Sequence, residues 1–340
     1  MSRRDRKPRF RRQRGYVLIL VTLALALLAS LATRFAIRVE GLRDQATALQ
    51  GYAEGQRAAA DARAMVWYWL ATRPIGRAAA GFSDETAVRL DGRWYRFGND
   101  AWVSVQDHRG LISANVVDRE AMRAMLGNLG IAIAEADAWI DVLEDYLDAD
   151  NLRRASGAEA ADYATLGLAP PRNDWLLTLP ELCRLPLWRE SPAVCEQVLR
   201  LANTRRDALF NPNTAPVPVL RAKLPQARED QLVLLQTLRE AAPLPDGPAA
   251  TALTGLPMAR DDFLFHASNG FRVTVWAPGL PKALEYNLMV LPALPTSPWL
   301  VQEVASAPRP EASDSPTRAA TFPVPSSDVA RAATAAAPAP

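Results

Sequence analysis

The sequence predicts an α+β fold: one long N-terminal helix, a small antiparallel sheet, and a large all-helical domain inserted into that sheet. Three observations predict it. From Tyr16 to Leu70 there is no proline, and good helix formers dominate. Residues 86–113 and 270–291 alternate apolar with polar residues or carry aromatic and β-branched ones, with Gly, Asn, Asp and Pro between the runs. The chain between these two ends, roughly 120 residues, is poor in strand signals.

The first element is a helix of about 55 residues, roughly 80 Å long. Pro74, with Gly76 behind it, is its first firm stop. Gly41, Gly51 and Gly55 weaken the run without breaking it. Its opening stretch, Tyr16–Thr33, is eighteen residues without a charge. As a helix that stretch spans about 27 Å, close to the thickness of a bilayer core. Further on, Ala58, Ala62, Met65, Trp69 and Leu70 follow a helical period. Trp67, Tyr68 and Trp69 are expected to dock the helix end onto a globular head.

The formal charge of +2 over 340 residues hides an asymmetry. Residues 1–14 hold eight bases (Arg3, Arg4, Arg6, Lys7, Arg9, Arg11, Arg12 and Arg14) against one acid, Asp5. The remaining chain holds 31 bases and 36 acids, which argues against nucleic-acid binding along its length. The basic flank places the N-terminus in the cytoplasm and sends the rest across the membrane. An uncleaved signal anchor, a secretory signal cut behind Ser30-Leu31-Ala32, and a leader cut ahead of the apolar run all fit this pattern.

With only His108, His266, Cys183 and Cys195 available, no zinc site of the usual Cys/His spacing can be assembled. Neither histidine has a nucleophile motif nearby, and no phosphate-binding glycine loop occurs. The inventory points away from an enzyme.

In the head, Val88–Leu90, Arg93–Phe97 and Ala101–Val105 read as strands separated by Asp91-Gly92 and Gly98-Asn99-Asp100. Asp107–Gly110 reads as a further turn, with His108 as a solvated turn residue. Asp118 is expected to cap a helix over Arg119–Leu129, and a second helix covers Glu135–Leu147. Thr214 is expected to cap the helix that follows it, with Leu220, Leu224, Leu232 and Leu235 forming a helical hairpin. Such hairpins occur in DNA-binding proteins, but this one lacks a glycine turn and a basic stripe, so packing is the expected role. Strands return at Gly270–Ala277 and Leu284–Leu291. Ten of the 27 prolines fall in residues 292–340 with few aromatics, the composition of a disordered tail.

Asp141, Glu144, Asp145, Asp148 and Asp150, with Glu159 and Asp162 downstream, admit a cation site built from carboxylates. Asp148-x-Asp150 followed by a glycine-containing turn and Glu159 suits Ca²⁺, although the offsets are not those of an EF-hand. A solvated helix C-terminus is the alternative. Arg153-Arg154 inside the loop lowers the expected affinity. Cys183 and Cys195, facing an oxidising compartment, are expected to pair; two buried thiols are the alternative.

Several motifs, taken in order, carry a family resemblance. Arg14-Gly15-Tyr16-Val17-Leu18-Ile19-Leu20 resembles the leader of type IV pilins and type II secretion pseudopilins. Leu20 stands where most members have glutamate, a departure shared with the K-type minor pseudopilin of type II secretion. Leu111–Asn115, Tyr146–Asn151, Gly157-Ala158-Glu159, Asp162-Tyr163, Leu177–Leu182 and Asn211-Pro212-Asn213-Thr214-Ala215-Pro216 are similar to that family's succession of motifs. The resemblance implies a pilin-type N-terminal helix, with residues 1–15 as prepilin leader and residues 16–72 as helix, of which 16–33 cross the membrane. It implies a β head over 73–115, the inserted helical domain over 116–265, returning strands over 266–291, and the tail over 292–340.

It further implies cleavage by prepilin peptidase between Gly15 and Tyr16, methylation of the new N-terminus, and a role for Leu20 in assembly. A Ca²⁺ site at Asp148, Asp150, Glu159 and Asp162 is also implied, and no organic cofactor. The implied partners are the I- and J-type minor pseudopilins, the major pseudopilin, the peptidase and the inner-membrane assembly platform. The implied location is the inner membrane, single-pass, with the head in the periplasm at the tip of a pseudopilus. A type IV pilus or competence minor pilin that binds DNA or surfaces is the alternative, and a signal-anchored periplasmic enzyme a third class.

Overall fold

The computed structural model describes residues 14–83, 86–98, 101–291, 297–310 and 320–323. The leader assigned to residues 1–15 lies outside them, save Arg14 and Gly15, which open the first helix. The chain divides into two compact units, Met1–Glu54 and Gly55–Pro340, with the boundary inside helix α1 (Arg14–Thr72).

Within Met1–Glu54 the helix is long and apolar enough to cross a membrane, and none of its apolar window is buried. Tyr16, Leu18, Ile19, Leu20 and Leu23 are all at least 60% exposed. The Thr22 hydroxyl donates back to the Leu18 and Ile19 carbonyls, and that of Thr33 to Ala29. Polar groups in hydrocarbon need such internal partners.

In Gly55–Pro340 the first strands are β1 (Ala79–Ala80), β2 (Val88–Arg89), β3 (Asp91–Phe97), β4 (Ala101–Asp107) and β5 (Ile112–Ser113). The inserted block follows, with α2 (Arg119–Asn128), α3 (Ile133–Leu147), α4 (Ala160–Thr165), α5 (Pro192–Leu201), β6 (Ala202–Asn203), α6 (Val217–Lys223), α7 (Glu229–Ala241) and α8 (Gly247–Thr254). The chain then returns as β7 (Gly270–Trp276), β8 (Ala283–Val290), β9 (Trp299–Ala307) and β10 (Ala320–Thr321). The main sheet has the order β10-β3-β4-β7-β8-β9, antiparallel throughout except for the parallel β10–β3 pair.

The end of α1 lays Ala59, Ala62, Val66, Trp69 and Leu70 into one core with Val103, Val105, Phe271, Val273 and Val275 of the sheet. Trp69 Nε1 donates to the Ala80 carbonyl at 2.8 Å, so the indole is buried without an orphaned donor. Gly55 has a packing reason: a Cβ there would sit 2.4 Å from the Pro278 carbonyl oxygen. The inserted block has its own core, around Met122, Met125, Leu126, Ile140, Leu143, Leu182 and Trp188. A parallel β5–β6 pair closes its base, with Ile112 opposite Ala202.

Three expectations are corrected. The tail taken as disordered from residue 292 contains β9, paired along β8 from Ala283↔Ala307 to Val290↔Trp299. Composition averaged over the tail hid this, because the nine residues Trp299–Ala307 are themselves free of proline. Phe322, 1% exposed, also joins the core, edge-on to Trp69, Tyr95 and Phe97. Second, His108 is not solvated. It is 5% exposed, with Nε2 3.1 Å from Asn287 Oδ1, because the turn it occupies is covered by Arg205 and Asn287. Third, Thr214 caps no helix. α6 begins at Val217 behind Pro216, and the Thr214 hydroxyl instead donates to Asp107 Oδ2 at 2.9 Å.

Candidate functional site

The acidic segment is set by the end of α3. Asp141, Glu144 and Asp145 share one side of the last two turns of α3, and Asp148 follows directly as its C-cap. The chain then turns back on them. The Arg154 amide donates to Asp145 Oδ2 at 3.2 Å and the Ser156 amide to Asp141 Oδ2 at 3.1 Å. Gly157 lies against Asp145 so closely that a Cβ would fall 1.9 Å from Oδ2. Gly157→Ala is expected to cost about 2 kcal/mol, since the buried carboxylate has nowhere to move. Thermal melting of the detergent-solubilised chain checks this, and an unchanged midpoint would contradict it.

The carboxylates fall into two groups. In the first, Arg119 pairs with Asp141 at 2.9 Å and with Glu144 at 2.5 Å. Arg154 reaches Glu144 at 3.0 Å and Asp145 at 2.8 Å, and also binds Asp148 Oδ2. Despite burial, hydrogen bonds to Asp148 and Asp145 hold the Arg154 guanidinium above its usual pKa.

In the second group, Asp148, Asp150 and Glu159 each offer an oxygen, and the three atoms lie within 4.8 Å of one another. Glu159 is 6% exposed. Its carboxylate faces the first turn of α4 as half of a capping box, yet neither oxygen makes a hydrogen bond of ordinary geometry. Asp148 Oδ1 is likewise buried and unpartnered. Burial first, then the charges of Asp145, Asp148 and Asp150, push the Glu159 carboxyl above the usual carboxylate range. Orphaned acceptors of one sign gathered at this spacing fit a hard divalent cation, whose bonds to oxygen are about 2.4 Å long. Backbone carbonyls and water would supply the remaining ligands.

Asp162 is not brought into this group. Its Oδ2 accepts from the Glu159 amide at 3.0 Å and its Oδ1 from Arg153 at 3.1 Å, so it caps α4 instead. The sequence reading missed Asn173, whose amide nitrogen donates to the Asp150 carbonyl at 2.6 Å and to Asn151 Oδ1 at 3.1 Å. Its φ of 53° belongs to the left-handed region that asparagine tolerates. An Asn behind a Pro-Pro pair was the available signal.

Among the other assigned residues, Cys183 and Cys195 are joined, with Cα atoms 5.7 Å apart, and Cys195 is fully buried in the helical core. Tyr16 is 80% exposed at the start of the apolar helix and Leu20 is 60% exposed. The two asparagines of Asn211-Pro212-Asn213-Thr214 hold backbone. Asn211 donates to the Arg77 carbonyl at 2.8 Å, while Asn213 exchanges bonds with the Leu244 amide and carbonyl at 2.8 and 3.0 Å.

Comparison with known proteins bears on the segment that carries both the acidic loop and most of the disulfide-bonded block. Residues 101–200 match the family model described as "Type II secretion system (T2SS), protein K". No curated protein matches. Among solved structures, a chain of the GspK-GspI-GspJ complex from the type 2 secretion system of enterotoxigenic Escherichia coli is similar, with 13% identity and a TM-score of 0.46. The match covers 80% of this chain and 100% of that one. The family match takes in the motifs from Leu111–Asn115 to Leu177–Leu182, whereas Asn211–Pro216 lies beyond it, and over residues 101–200 the chain is similar to protein K of the type II secretion system.

Proposed function

We propose that the protein is a K-type minor pseudopilin that works by assembly, at the tip of a type II secretion pseudopilus. The supporting observation is the presence in one chain of a protein K domain and of a membrane-length helix with no buried apolar window. Such a helix cannot remain in water, and it has two stable environments: a bilayer, or a bundle of similar helices. On this reading the chain is held in the inner membrane, single-pass, with the head in the periplasm. Prepilin peptidase cuts behind Gly15, and the new N-terminus at Tyr16 is methylated. The assembly platform then moves the helix from lipid into contact with the I- and J-type minor pseudopilins and the major pseudopilin.

Leu20 fits a terminal position, since a carboxylate there would have no neighbouring amine to neutralise. Asp148, Asp150 and Glu159 hold Ca²⁺ in the head. That ion would neutralise three clustered carboxylates of the loop between α3 and α4; it supplies no catalytic step.

N-terminal sequencing of the protein extracted from membranes tests the reading. The expected first residue is Tyr16. An intact Met1, or a start at Thr33, would overturn it.

A further inference from the structure

We propose that Arg154 is a built-in cation of the acidic loop. Its guanidinium bridges Glu144, Asp145 and Asp148, so the loop keeps its shape without metal and the neighbouring site takes an ion only weakly. The proposal rests on the reading of Asp148, Asp150 and Glu159 as a cation site.

The geometry that points to this is the division of the carboxylates. Arg154 draws together Glu144, Asp145 and Asp148 through contacts of 3.0 and 2.8 Å and a third, shorter one. Asp145 is fully buried, and at 35% side-chain exposure the guanidinium that neutralises it is itself partly withdrawn from water. A planar guanidinium with several donors can bridge carboxylates much as a metal ion bridges them, but its place is fixed by the chain. Two amide donors, from Arg154 and Ser156, tie the same loop to Asp145 and Asp141, so closure does not wait for an ion.

Asp148 stands at the division. Oδ2 belongs to Arg154, while Oδ1 is buried and unpartnered beside Asp150 and Glu159. The arginine therefore has opposite effects on the two halves. It keeps Glu144, Asp145 and Asp148 from repelling one another in the metal-free protein. It also withdraws part of the charge of Asp148 from any ion bound at Oδ1, and like charge near the ion weakens its binding.

The test uses the full chain in detergent, with melting and calorimetric Ca²⁺ titration of wild type, Arg154→Gln and Arg154→Lys. In EDTA, Arg154→Gln is expected to melt well below wild type, and millimolar Ca²⁺ to restore most of the loss. Its Ca²⁺ affinity should rise at least tenfold, while Arg154→Lys, which keeps the charge, stays near wild type in affinity. If Arg154→Gln melts with wild type in EDTA, or if Ca²⁺ fails to restore it, the role of Arg154 is wrong. If wild type binds Ca²⁺ and Arg154→Gln binds it no more tightly, the cation site stands and only the role of Arg154 falls. If neither protein binds Ca²⁺, the cation site falls and this inference with it.

Discussion

Asp107→Ala is expected to destabilise the head by about 4 kcal/mol, because it leaves a set of buried donors without an acceptor. Asp107 is fully buried at the end of β4. Its Oδ1 accepts from the Ser268 amide at 3.0 Å, the Ser268 hydroxyl at 2.6 Å and the Arg109 amide at 3.1 Å. Its Oδ2 accepts from the Thr214 hydroxyl at 2.9 Å and from Asn211 Nδ2 at 3.3 Å. Those donors come from the turn after β4, from the entry to α6 and from the entry to β7. One carboxylate thus joins the sheet to both sides of the inserted block. Alanine removes all of these bonds and leaves buried donors unpaired. Asp107→Asn keeps one acceptor oxygen but turns an NH₂ toward donors, so about half the loss is expected. Urea titration of the detergent-solubilised chain, followed by tryptophan fluorescence, checks both values. A change under about 1 kcal/mol for the alanine variant would show that the network is not what holds the block to the sheet.

This hub also shows what was legible in the sequence and what was not. The Asn211-x-Asn213-Thr214 motif was visible as a pattern, but its mechanism was not. Read locally, Thr214 is a helix cap, because capping depends only on neighbours in sequence. The acceptor that claims it lies 107 positions away, and long-range partners of a polar residue leave no periodic trace. Local features were legible: the long helix, the strands β3, β4, β7 and β8, and the helices α2 and α3 follow from hydrophobic spacing, turn residues and caps. The acidic run was legible as a cluster, yet its division was not. Asp148, Asp150 and Glu159 converge, whereas Asp162 turns away to cap α4. Arg154 was recognised as a departure, but only the fold shows that it binds Glu144, Asp145 and Asp148 together. β9 and Phe322 were missed because composition was averaged over a tail whose ordered segments are short.

Acid is expected to weaken the head through His108, by about 3 kcal/mol between pH 7 and pH 4, and His108→Gln should remove that part of the pH dependence. Burial above all, then the charge of Arg272 on β7 and that of Arg205, holds the imidazole down to a pKa of about 3 against an ordinary 6.5. The hydrogen bond with Asn287 on β8 and the charge of Asp207 oppose the shift without cancelling it. The sign follows from proton counting. Above pH 6.5 the ring is neutral in both folded and unfolded chains, so it contributes no pH dependence. Below that pH the unfolded chain takes up a proton that the folded chain refuses. Stability therefore falls as pH falls, and the loss is complete only near the folded pKa. Each pH unit inside that window costs about 1.4 kcal/mol, and the bulk of the window lies above pH 4. Carboxylates titrate over the lower part of the same range, so the informative quantity is the difference between wild-type and His108→Gln stability at each pH. Glutamine keeps an amide able to meet Asn287 but cannot take a proton. The difference should be flat from pH 8 to pH 7 and then shift steadily in favour of the variant as pH drops to 4. A difference that stays constant over the whole range would mean that His108 protonates as readily in the folded head as in the unfolded chain.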